Sequence, residues 1–338
     1  MAPLIGYYAH HHGSGHRTRA RLIADAYPGA VDIIGSGHDE GLDVRLPFDV
    51  DGSVPQDPTA GGTLHWAPRY NPLLADRVSA MAEWVRSASP ALVVVDVSVE
   101  VALEVRMMGI PVVVVRQHGD RTDVAHDVAY RIASSLLAPY PEWAEDPTAT
   151  PAMRDKTQYV GGFSRFGGRP PASCRRDPDE VVVMAGTGGT DLRPDVIASL
   201  ASVGRRRWTV IGVDGCGRPG LEFLGRVDDP WPWLCRAGVV VVSAGHSALC
   251  EAADADAPTV AVVETRPFAE QHHKVSVLAA AGAVHRAPPL GDPVAWDVVL
   301  RQASATPSQW RDFTHPDGAT HAATRLAALA ESLTEVGS

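Results

Sequence analysis

A histidine closes a glycine turn near the start of the chain, His12-Gly13-Ser14-Gly15-His16. Two further glycine turns follow, Gly186-Thr187-Gly188-Gly189-Thr190 and Ser243-Ala244-Gly245-His246-Ser247. Glycine lets a ligand approach the backbone, and a helix opening behind such a turn offers unpaired N–H groups and a positive dipole end. That chemistry suits phosphate. None of the three matches GxxxxGK[ST] or a full GxGxxG, which argues against P-loop hydrolysis and dinucleotide redox chemistry. A free imidazole ionises near neutrality, which suits a general base, and His16 is the candidate, although a polar helix start is the plainer reading. The other histidines form no zinc-like set: His10, His11 and His12 are adjacent and alternate in direction, and His246, His272 and His273 lack ligand spacing. No metal is expected.

The elements that must position these turns alternate strand, turn and helix. Leu4–Ala9 and Val31–Ile34 read as strands around a helix from Arg17 to about Ala26. Leu74, Val78, Met81 and Val85 mark one apolar helix face. Leu92–Val95 and Val112–Val115 are continuous apolar runs, as in parallel strands buried on both faces, with a helix over Glu100–Met108 between them. The Gly-, Pro- and Arg-rich stretch 166–178 reads as a linker. Beyond it, strands are expected at Val181–Ala185, Trp208–Ile211, Val239–Ser243 and Thr259–Val263, each glycine turn opening a helix. Helices follow over Gln271–Ala281 and around Leu326, Leu329 and Leu333. The expected domains are 1–165, 179–315 and a C-terminal helix, 316–338, returning to the first. Two such α/β halves would face a cleft with the carboxyl ends of their strands.

At 338 residues the chain has room for about two domains. It is 45% hydrophobic and 21% charged, as folded domains are. Its net charge of −10 opposes a non-specific nucleic-acid partner. Lys156 and Lys274 are its two lysines. Cys174, Cys216, Cys235 and Cys250 form no CxxC pair and read as reduced thiols. With neither a signal peptide nor an apolar span of about 18 residues in view, a cytoplasmic location is expected. No basic amphipathic stretch argues for peripheral membrane contact.

The segment Arg226–Val284, RVDDPWPWLCRAGVVVVSAGHSALCEAADADAPTVAVVETRPFAEQHHKVSVLAAAGAV, resembles the donor-binding half of family 28 glycosyltransferases. Gly13–His16 is similar to that family's first glycine loop, Tyr159–Arg165 to its VGNPVR segment, and Ala185–Thr190 to its GGSxGA loop. The resemblance implies a GT-B fold with two Rossmann-like domains, and inverting, metal-independent transfer from a UDP-sugar, UDP-GlcNAc or UDP-hexose first, to a hydroxyl acceptor. His16 would be the base. Apart from the resemblance, Asp96, at the carboxyl end of a buried strand, reads either as its partner or an acceptor-recognising group, or as a helix cap. Glu251 would accept the ribose hydroxyls and the Val227 backbone would read the base. Gly245, His246 and Ser247 would hold the diphosphate, and Gly15, Thr187 and Gly188 would also be donor-binding. Glu270 and Gln271 would meet the sugar, and Arg165 would reach the diphosphate. The Asp-x-Asp at Asp254 and Asp256 lies on the helix after Glu251, away from the phosphates. No cofactor beyond the co-substrate is implied.

Arg116–Asp120 stands where the lipid II-forming enzyme of this family has HEQN, so the acceptor differs. His12, His118, Trp66 and Tyr70 are the candidate acceptor residues, the last two on a long loop between Pro47 and Pro72. A natural-product aglycone, an envelope lipid and a glycan all remain open as acceptors. Two alternatives stand beside transfer. A GT-B UDP-sugar hydrolase carries a GxGHxxR loop, which Gly13–Arg19 matches in spacing; a regulator would bind the nucleotide sugar without catalysis.

Overall fold

The computed structural model describes residues 2–336 apart from His12, 38–40, Asp51, 171–174, Thr187 and Pro307. The expectations for His12 and Thr187 therefore lie outside the described residues. Among the described residues the chain divides into two compact units, each built on one parallel sheet.

The first unit comprises residues 1–139, 148–160 and 319–338. Its elements run β1 (Ile5–Ala9), α1 (Gly15–Ala26), β2 (Val31–Gly35), β3 (Val44–Arg45), α2 (Pro72–Ala88), β4 (Leu92–Asp96) and α3 (Val99–Met107). They continue with β5 (Val112–Val115), α4 (Val124–Ile132), β6 (Ser135–Ala138), α5 (Pro151–Lys156) and β7 (Thr157–Tyr159). The strand order is β3-β2-β1-β4-β5-β6-β7, so the direction of winding reverses between β1 and β4. Ligands of open parallel sheets bind where that reversal parts the loops at the strands' carboxyl ends.

The second unit comprises 140–147 and 161–318. It contains β8 (Asp177–Met184), α6 (Pro194–Leu200), β9 (Arg207–Ile211), β10 (Leu221–Gly225), α7 (Trp231–Arg236), β11 (Ala237–Ser243) and α8 (His246–Asp254). Then come β12 (Thr259–Val262), α9 (Glu270–Ala280), β13 (His285–Arg286) and α10 (Pro293–Ala305); α11 (Gly318–Val336) leads back into the first unit. The order β10-β9-β8-β11-β12-β13 places this sheet's reversal between β8 and β11. Valines fill the buried central strands, as parallel sheets covered on both faces demand.

Four expectations change. The chain crosses to the second unit and back before residue 160, so 140–147 and 161–165 leave the first domain. The described part of the 166–178 stretch is held within the second unit: Phe166 is buried, with its ring 5.0 Å from Trp231, and Arg169 pairs bidentately with Asp229. The buried face of α2 carries Arg77, Met81, Trp84 and Val85, while Val78 is exposed. The Arg77 guanidinium finds Ser36 Oγ, the Pro47 carbonyl and Tyr8 Oη in the interior, which turns the helix that way. The second glycine turn opens no helix directly, because α6 starts only at Pro194. Among the described residues no helix is long and apolar enough to cross a membrane.

Candidate functional site

In the first unit, β1 and β4 run side by side with Ala9 opposite Asp96. Asp96 ends β4 at the reversal point and is fully buried. Its carboxylate accepts His16 Nδ1 at 2.9 Å, Arg19 Nη1 at 2.9 Å to both oxygens, and Tyr7 Oη at 3.0 Å. His16 is the second residue of α1, and Arg19, three residues on, lies on the same helix face. Burial pushes the Asp96 carboxyl up, but Arg19, His16 and Tyr7 reverse that and hold it down to about 2. An ionised carboxylate only accepts, so Nδ1 of His16 is the donor, and in the neutral ring the lone pair is then on Nε2. Asp96 thereby fixes the orientation of the imidazole.

The long loop carrying Trp66 is pinned by two carboxylates. Glu100, in the first turn of α3, accepts the backbone N–H groups of His65 and Trp66. Asp123, the N-cap of α4, accepts His65 Nε2 at 3.0 Å and His126 Nδ1 at 2.5 Å. Tyr70 is exposed, and His118 is buried, its carbonyl accepting Arg121 Nε. Among the described residues His65, Asp123 and His126 bring ligand-type atoms within 4.8 Å of one another. The Arg121 guanidinium, 2.8 Å from His126 Nε2, can only donate; Nδ1 must therefore carry the proton given to Asp123. Burial and Arg121 lower His126 to about 4, so the neutral ring relays between cation and carboxylate.

In the second unit, the turns after β8 and β11 lie side by side, since these strands pair directly. Gly188 lies in the first turn; Gly245 is the N-cap of α8, with His246 and Ser247 its first two residues. Glu251 lies in the second turn of α8 and receives Arg165 Nε at 2.9 Å, while Arg165 Nη1 reaches the Asp228 carbonyl beside Val227. Burial raises the Glu251 carboxyl, with Arg165 opposing. Phe268 and Ala269 take left-handed φ values of 58° and 51° just before α9, strain of the kind that gathers at binding sites. Glu270 then opens α9 and pairs with the buried Lys274 at 2.8 Å. Gln271 is buried, its Oε1 taken by the Glu264 N–H. Asp254, of the Asp-x-Asp, ends α8 and accepts Ser164 Oγ.

Sequence reasoning passed over Tyr7, Lys274, Glu264 and Arg266. Glu264 had the same signal as Asp96: a carboxylate just beyond the carboxyl end of a continuous apolar strand.

No protein-family model matches the chain, and no curated protein matches it. Solved structures do. The spinosyn forosaminyltransferase SpnP superposes with a TM-score of 0.66 at 13% identity, over 98% of this chain and 100% of that one. MurG of Acinetobacter baumannii gives 0.61 at 12% identity, over 98% and 100%. The chain has the GT-B fold. UDP-GlcNAc 2-epimerase of Methanocaldococcus jannaschii also matches, with a TM-score of 0.61 at 10% identity over 96% and 99%. The GT-B fold thus houses more than sugar transfer, and function rests on the site.

Proposed function

We propose that this GT-B chain is an inverting, metal-independent glycosyltransferase. It moves a sugar from a nucleoside-diphosphate sugar, UDP-GlcNAc or a UDP-hexose first, to an acceptor hydroxyl. The observation that carries the reading is the His16–Asp96 dyad at the winding reversal of the first sheet. His16 Nε2 takes the acceptor hydroxyl's proton as that oxygen bonds the anomeric carbon; the bond to the diphosphate breaks, its electron pair leaving with the phosphate oxygen. Asp96 stabilises the imidazolium that forms. Glu251 takes the ribose diol, and the turns at Gly188 and Gly245 take the diphosphate.

Hydrolysis of the nucleotide sugar is the second reading, since Arg19 of the GxGHxxR match is drawn into the dyad through Asp96. One experiment separates the two: a thermal-shift panel of UDP and TDP, then incubation with the matching nucleotide sugars, with and without hydroxyl acceptors, in EDTA. Transfer is expected to need an acceptor and to persist in EDTA. Stoichiometric free sugar without acceptor would establish hydrolysis, and a metal-reversible loss would refute the metal-independent step.

A further inference from the structure

Four hydrogen-bond donors converge on one buried carboxylate at the carboxyl edge of the second sheet. Glu264 stands two residues beyond β12, and its Oε1 accepts Thr190 Oγ1 at 2.5 Å, Ser243 Oγ at 2.9 Å and the Asp191 N–H at 3.0 Å. Its Oε2 accepts Arg266 Nη2 at 2.8 Å, and the same nitrogen donates to the Gly189 carbonyl at 2.7 Å. Thr190 ends the first glycine turn of this unit and Ser243 begins the second. Their hydroxyls are 3.2 Å apart, brought together under the same oxygen.

Packing does little to fix the first of these turns. A Cβ placed on Gly186, Gly188 or Gly189 would meet no atom of the described residues within 4 Å, and Gly189 holds a φ of +86°. Such a backbone has many conformations to lose, and phosphate recognition needs its N–H groups aimed before the ligand arrives. Hydrogen bonds to a buried charge are the strong, directional kind that can supply this.

We propose that Glu264, with Arg266 as counter-ion and second anchor, is a positioning residue that sets the separation and aim of the two phosphate-binding turns. This rests on reading those turns as the donor's diphosphate site. Arg266 also cancels a negative charge that would otherwise repel the diphosphate.

The test compares UDP with uridine, which lacks the phosphates, by calorimetry on the full chain. Glu264→Gln keeps one acceptor oxygen but breaks the pairing with Arg266; Thr190→Val removes one hydroxyl and serves if the first variant does not fold. In either folded variant UDP affinity is expected to fall about tenfold or more while uridine affinity stays at the wild-type value. Unchanged UDP binding overturns the proposal, as does an equal loss of UDP and uridine, which would mean general damage. Wild-type protein that binds neither UDP nor TDP refutes the donor reading itself, a result visible before any variant is made.

Discussion

Asp96→Asn keeps the shape of the dyad and removes its charge. In the folded chain the carboxyl is buried, which disfavours ionisation, yet Arg19 and His16 bring it from 3.8 down to about 2. That drop is worth about 2–3 kcal/mol of stability. The folded carboxylate takes up its proton less readily than the unfolded one. The contribution is therefore complete above about pH 5 and is lost as pH falls through about 2. Asparagine removes it at every pH and leaves the buried Arg19 without its counter-charge, a cost of about 3–5 kcal/mol in urea unfolding at pH 7. Turnover of the nucleotide sugar should fall by about 10²–10⁴, because the imidazolium formed on proton uptake loses its carboxylate. His16→Ala should be comparably slow, and the double variant no slower than the worse single one, since the pair acts as one unit. UDP affinity should hold, because Glu251 and the two turns proposed for the diphosphate belong to the other unit. Tyr7→Phe, which deletes one neutral donor, should cost about 0.5–1.5 kcal/mol and leave the rate within a few-fold. An Asp96→Asn protein that folds and turns over at the wild-type rate would refute the dyad.

Glu251→Ala should weaken UDP by about 1–3 kcal/mol in calorimetry, the cost of ribose hydroxyls left unpaired; unchanged affinity would show that this carboxylate does not meet the ribose. Glu104, on α3, is raised to about 7 by burial, with Arg77 opposing, and its Oε1 has no partner among the described residues. Because the folded carboxyl holds its proton where the unfolded one has lost it, stability falls as pH rises from about 4.5 through 7. Glu104→Gln should remove that fall, gaining about 1–3 kcal/mol at pH 8 and little at pH 4 in paired melting curves; an equal effect at both pH values would contradict it.

Periodicity and turn chemistry act over a few residues, which is why the alternation of strands and helices, the three glycine turns and the place of His16 behind the first are legible in the sequence. The valine runs of β4, β5 and β11 announce parallel strands covered on both faces, and two such halves imply the fold class. Partnerships between distant side chains are another matter. Asp96 meets Tyr7, His16 and Arg19 across 77 to 89 residues, and it does so only because β1 pairs with β4 in one register. Glu264 likewise gathers Thr190 and Ser243 because β8, β11 and β12 are neighbours. Apolar strands of similar composition are nearly interchangeable in a pattern, so strand order leaves no local trace. The charged groups buried between those strands show their partners only once the sheet has formed. Arg77 makes the same point within α2: helical spacing allowed either Val78 or its neighbour to face inward, and three oxygens waiting in the interior decided for the arginine.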